Sequence, residues 1–67
     1  MLVRTSEDIA KIVKNERIRQ GFTQIKLARL CGVGTRFLIE LEKGKPTCQM
    51  DKVLKVIVGL GIVLKYE

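Results

Sequence analysis

Thr23-Gln24-Ile25-Lys26-Leu27-Ala28-Arg29-Leu30-Cys31-Gly32-Val33-Gly34-Thr35-Arg36-Phe37-Leu38-Ile39-Glu40-Leu41-Glu42 reads as two short helices around a tight turn. Thr23 can cap the first of them, which runs from Gln24 to Cys31. Ile25 and Ala28, with Leu27 and Leu30 or Cys31, recur at spacings of three and four, and Gly32 closes the helix. Only Gly32-Val33-Gly34 separates it from the next segment, Thr35 to Glu42, where Val33, Phe37, Leu38 and Leu41 fall on one side. Glycine at position 32 permits the left-handed backbone that a sharp helix-to-helix turn needs, and Val33 plugs the gap between the helices. Helices joined this way form a helix-turn-helix, whose second helix stands out from the body and fits a DNA major groove.

Upstream, Thr5 or Ser6 followed by Glu7 and Asp8 marks a helix start. Ile9, Ile12, Val13 and Glu16 follow at helical spacing. Lys14, Arg17 and Arg19 suit its C-terminal turns, and Gly21 ends it. Downstream, Gly44 caps the third helix and Lys45-Pro46 forces a loop. A fourth helix runs from Cys48 or Met50 to Val58, capped by Thr47 or Gln49, with Met50, Val53, Leu54, Ile57 and Leu60 as its apolar stripe. Gly59 and Gly61 break it. The tail Ile62-Val63-Leu64-Lys65-Tyr66 has the β-branched and aromatic composition of a strand. A lone strand needs a partner for its edge, and the simplest is the same strand of a second copy across a two-fold axis; the alternative is an irregular tail.

Composition bounds the rest. The chain has 67 residues, 46% of them apolar, enough for one small core and one domain spanning 1–67. Thirteen Lys and Arg against seven Asp and Glu give +6, which favours a polyanionic partner. There is no His, no nucleophile–base pair, no phosphate-binding glycine loop and no metal-ligand cluster, so neither enzyme nor metal or cofactor binding is expected. Cys31 and Cys48, 17 positions apart, read as reduced thiols of a cytosolic protein. The opening MLVRTSED turns acidic by Glu7 and has no apolar core, unlike a signal peptide, and the longest apolar stretch, 56–64, has nine residues against the about 20 of a membrane helix. No membrane partner is expected, and the three aromatic residues are too few for a base-stacking platform, so Phe22 and Phe37 read as core.

Gly21-Phe22-Thr23-Gln24, Leu27-Ala28, Gly32-Val33, Leu38, Leu41-Glu42 and Gly44-Lys45, at these spacings, resemble the Cro/C1 (Xre) class of helix-turn-helix repressors over residues 9 to about 58. More narrowly, the run 36–47, then 51–56 and Leu60-Gly61-Ile62, resembles HipB-type antitoxins, in which a Cro-like domain ends in a strand that pairs within the dimer. The implied fold is all-α, a compact four- to five-helix, lambda-repressor-like domain. Its helix-turn-helix occupies 23–42, and a C-terminal β-strand at about 61–66 pairs across a homodimer.

Residue roles follow from the resemblance and from the outer face of the third helix. Thr35, Arg36, Ile39 and Glu40 are candidates for base contacts. Arg36 suits guanine O6 and N7, Ile39 a thymine methyl; Glu40 either accepts from a cytosine amino group or orients Arg36. Gln24 is a candidate for a phosphate and for bracing the recognition helix, or else a plain helix-start polar residue. Lys43, Gly44 and Lys45 are further phosphate candidates, by backbone N–H and side chain, against a merely solvated loop. Gly34 stands where the class carries Ser, which removes a side-chain cap. The resemblance further implies that Arg17 and Glu42 form a partly buried ion pair. The function so implied is that of a dimeric repressor acting on a palindromic double-stranded operator in the bacterial cytoplasm, at the nucleoid. Half-sites would lie roughly 34–36 Å apart or a multiple of that. It also implies an antitoxin that binds a HipA-like kinase toxin. A stand-alone repressor, or a module that only neutralises a toxin, are the alternatives.

Overall fold

The computed structural model describes residues 3–47 and 49–65, which form four helices. They are α1 (Ser6–Arg19), α2 (Gln24–Cys31), α3 (Thr35–Glu42) and α4 (Met50–Gly59). Cys48 and Tyr66, two positions given roles by the sequence, lie outside the described residues. No helix among the described residues is long and apolar enough to cross a membrane.

Local chemistry fixes the boundaries. Thr5 caps α1 through a reciprocal box: its Oγ1 accepts from the Asp8 N–H at 3.2 Å, and Asp8 Oδ2 accepts from the Thr5 N–H at 3.2 Å. Thr23 Oγ1 accepts from the Lys26 N–H at 3.1 Å and starts α2. Gly34 starts α3 with no side-chain cap. All four helices end alike. A glycine at positive φ follows the last turn, and the residue after it donates back across that turn: Phe22 to Arg17, Val33 to Ala28, Lys45 to Glu40 and Ile62 to Ile57. This is the Schellman ending, which satisfies carbonyls the helix leaves open. At three of the four ends the returning residue is apolar (Phe22, Val33, Ile62) and packs on the core.

The core is Val13 of α1, Leu27, Ala28 and Cys31 of α2, Leu38 and Leu41 of α3, and Val53, Val56, Ile57 and Leu60 at α4 and its end. Helix α3 rests on α1 and α2, while α4 covers the other side of α2. Three sequence expectations change here. On α2, Ile25 and Leu30 are more than half exposed, because Leu27, Ala28 and Cys31 are the residues that turn inward. On α4 the buried set is Val53, Val56, Ile57 and Leu60, whereas Met50, Leu54 and Val58 form a second, exposed stripe. Gly59 continues α4 rather than breaking it.

The tail is the fourth change. Residues 62–65 pair with no strand among the described residues. Ile62, expected to begin the dimer strand, is the returning residue of the α4 ending and packs on its own core. Val63 and Leu64 point outward, 75% and 57% exposed.

Candidate nucleic-acid interface

Helix α3 is held by one buried polar knot. Arg17 reaches across from α1: its Nε donates to Glu42 Oε2 at 2.7 Å and its Nη2 to Glu42 Oε1 at 3.0 Å. The remaining guanidinium nitrogen, Nη1, donates to the Phe22 carbonyl at 2.8 Å. Gln24, at the start of α2, donates from Nε2 to Glu42 Oε1 at 3.2 Å. Both charged side chains are largely out of water, 13% and 3% exposed, and no buried side-chain polar atom among the described residues lacks a partner. One carboxylate at the end of α3 thereby fixes that helix to α1 and to the α2 N-terminus. Fork-to-carboxylate geometry adds direction as well as strength.

The knot leaves the other face of α3 outward. Arg36 is exposed, and Thr35, Ile39 and Glu40 are half-buried. Two clefts flank this ridge. Lys14, Arg17, Gln24, Ile39, Glu42 and Lys43 line the one between α1 and α3. Phe37, Glu40, Lys45 and Thr47 help line the other, beneath the α3–α4 loop. The base candidates therefore sit on one ridge, with Gln24 and Lys43 on one flank and Lys45 on the other.

Glu40 ties the ridge to the loop. It accepts from Arg36 Nε at 3.3 Å and from Lys45 Nζ at 3.1 Å. The Lys45 hydrogen bond, followed by that of Arg36, holds the Glu40 carboxyl below its ordinary 4.5. The side chain of Arg36 is 92% exposed, so this restraint is loose.

The loop backbone is already committed. The Gly44 N–H donates to Leu41 at 3.1 Å and that of Lys45 to Glu40 at 3.2 Å, both inside the α3 ending. Gly44 is also buried against Glu7, where an added Cβ would lie 3.2 Å from the Glu7 Cγ. The backbone N–H groups of Gly44 and Lys45 are therefore engaged within the fold, and the exposed side chains of Lys43 and Lys45 are what the loop offers to a ligand. Sequence reasoning missed Lys14, and with it Lys11, which lines the adjoining cleft with Lys14 and Lys43. Lys14 lies three residues before Arg17 on α1, so helical spacing from Arg17 was the signal that placed it beside α3.

No family model matches the chain. It is 46% identical over 59 residues to an uncharacterized HTH-type transcriptional regulator, y4mF, of Sinorhizobium fredii. That alignment covers 88% of this chain and 78% of the relative.

Proposed function

The chain belongs to the HTH-type transcriptional regulators, and on that premise we propose that it is a dimeric, sequence-specific DNA-binding repressor of the Cro/C1 (Xre) type that works in the cytoplasm. The observation that carries this reading is the α3 ridge: Arg36, Ile39 and Glu40 lie on the side of the helix away from its anchor Glu42, with Lys14 and Lys43 in the cleft on one flank and Lys45 on the other. Arg36 reads guanine, Ile39 meets a thymine methyl, and Glu40 either accepts from cytosine or lines up Arg36. Gln24, Lys43, Lys45 and Lys14 take backbone phosphates and set the register. The reading assigns no catalytic step to the chain.

Two copies, bound to the halves of a palindrome about one helical turn apart, double the contact and supply the affinity that one eight-residue helix lacks. The exposed Val63 and Leu64 support the pairing of tails between copies. The likeness of residues 36–47 and 51–62 to HipB-type antitoxins supports the narrower role: the chain represses its own operon and binds a HipA-like kinase toxin.

The test is a fluorescence anisotropy titration with duplex DNA from upstream of the gene against a scrambled duplex of equal length, at two salt concentrations. Selective binding that persists at the higher salt is the expected result. Equal, salt-labile binding to both duplexes overturns it and leaves only a toxin-binding module. Co-purification with the product of the neighbouring gene tests the antitoxin role separately.

A further inference from the structure

Of the nine exposed large apolar side chains among the described residues, four lie on α4 and the end of α2. Met50, Leu54 and Val58 repeat every four residues along α4, with exposures of 59%, 43% and 72%. Leu30 of α2, 58% exposed, joins Leu54 and Val58 along one groove, and Cys31 and Gly59 form part of its lining. A Cβ at Gly59 would overlap Cys31 Sγ, so α2 and α4 meet backbone-close and present a single surface. On a domain this small, a contiguous apolar patch marks a contact surface.

We propose that this α2–α4 face is the docking surface for a second copy of the chain, with α4 packed antiparallel on α4 across a two-fold axis. The proposal rests on the repressor reading only in the need for two copies on a palindrome. Net charge opposes a second copy, but the charges on the rim suit one. The chain carries +6 and repels its own kind at long range, so self-association needs local opposite charges. The groove has one of each sign on its rim, Asp51 and Lys55, and neither forms an ion pair among the described residues. A two-fold contact repeats every pairing, so Asp51 against the partner's Lys55 occurs twice around the apolar stripe. Position agrees: no residue of this groove lines either cleft beside α3, so a dimer formed here leaves both recognition ridges free. Val63 and Leu64 leave the end of α4, which lets the tails extend the same contact.

The experiment is sedimentation equilibrium of the full chain over a wide dilution series, for the wild type, Asp51→Lys, Lys55→Asp and the double reversal. Both side chains are exposed, so the folded monomer tolerates each change, and thermal melts monitored by circular dichroism verify this. The expected result is a wild-type dimer, a dissociation constant raised about tenfold or more by either single reversal, and recovery in the double reversal. A monomeric wild type, single reversals without effect, or a double reversal no better than the singles overturns the proposal. Binding of each variant to a duplex carrying one half-site separates the two readings. Single reversals that keep base preference there confine the defect to the dimer. Loss of preference in every protein, wild type included, defeats the DNA reading and leaves the dimer result standing.

Discussion

Arg17 and Glu42 carry opposite costs depending on how they are removed. The pair is bidentate and nearly dry, so deleting one partner strands the other charge. Arg17→Met or Glu42→Leu alone should lose about 3–5 kcal/mol in urea denaturation, whereas the double replacement should lose clearly less than the sum. Additive losses would mean that the knot is not one unit. At the ridge the outcomes are read on DNA. Arg36→Ala should relax base preference at one position by about 1–3 kcal/mol, while Lys45→Ala should weaken every sequence alike and lower the salt slope by about 1. Glu40→Gln releases both cations that Glu40 holds, so its binding to random duplex should rise. The knot was legible in the sequence only through the family resemblance, since Arg17 and Glu42 lie 25 positions apart and no spacing rule links them. The commitment of the Gly44 and Lys45 N–H groups was not legible, because it depends on how the α3 ending closes.

At the scale of elements, boundaries were legible wherever a cap spells them. Thr5, Thr23, Gly21, Gly32 and Gly44 mark ends that the backbone obeys. The face of α4 was not, because the helix carries two apolar stripes and the sequence does not say which one turns inward. The tail misled for a related reason: Ile62 has strand composition, yet the left-handed Gly61 sends it back onto the core. Gly59 makes the α2–α4 contact testable. Ala is the better helix former by roughly 0.5–1 kcal/mol, but its Cβ would collide with the Cys31 thiol, and crowding of this kind costs about 1–3 kcal/mol. Gly59→Ala should therefore destabilise the wild type, and the same change in a Cys31→Ala background should be neutral or stabilising. Equal effects in the two backgrounds would show that the thiol swings aside without cost.

For the molecule as a whole, a small core, with ten clustered buried residues among the described ones, and a charge of +6 leave stability sensitive to the carboxylates that offset the cations. Among the described residues, three are held below their ordinary values in the folded state. Asp8 is held by backbone hydrogen bonds in the α1 cap, and Glu40 by Lys45 and Arg36. Glu16 is lowered from 4.5 to about 2 by hydrogen bonds from Arg19 and then Gln20. Gln20 also donates to the Leu60 carbonyl at 2.7 Å, so this cluster ties the end of α1 to the end of α4. Depressed carboxyl values stabilise the fold above the unfolded value, and that contribution is lost as protons are taken up on the way down. For Glu16 the window runs from 4.5 to about 2. As the acids neutralise, thirteen Lys and Arg charges are left unopposed. The thermal midpoint should hold near neutrality and fall steadily through that window. Glu16→Gln should start lower at neutral pH and converge on the wild type at the acid end. Parallel curves for the two proteins would remove Glu16 from the account and leave general repulsion as the cause of the acid limb.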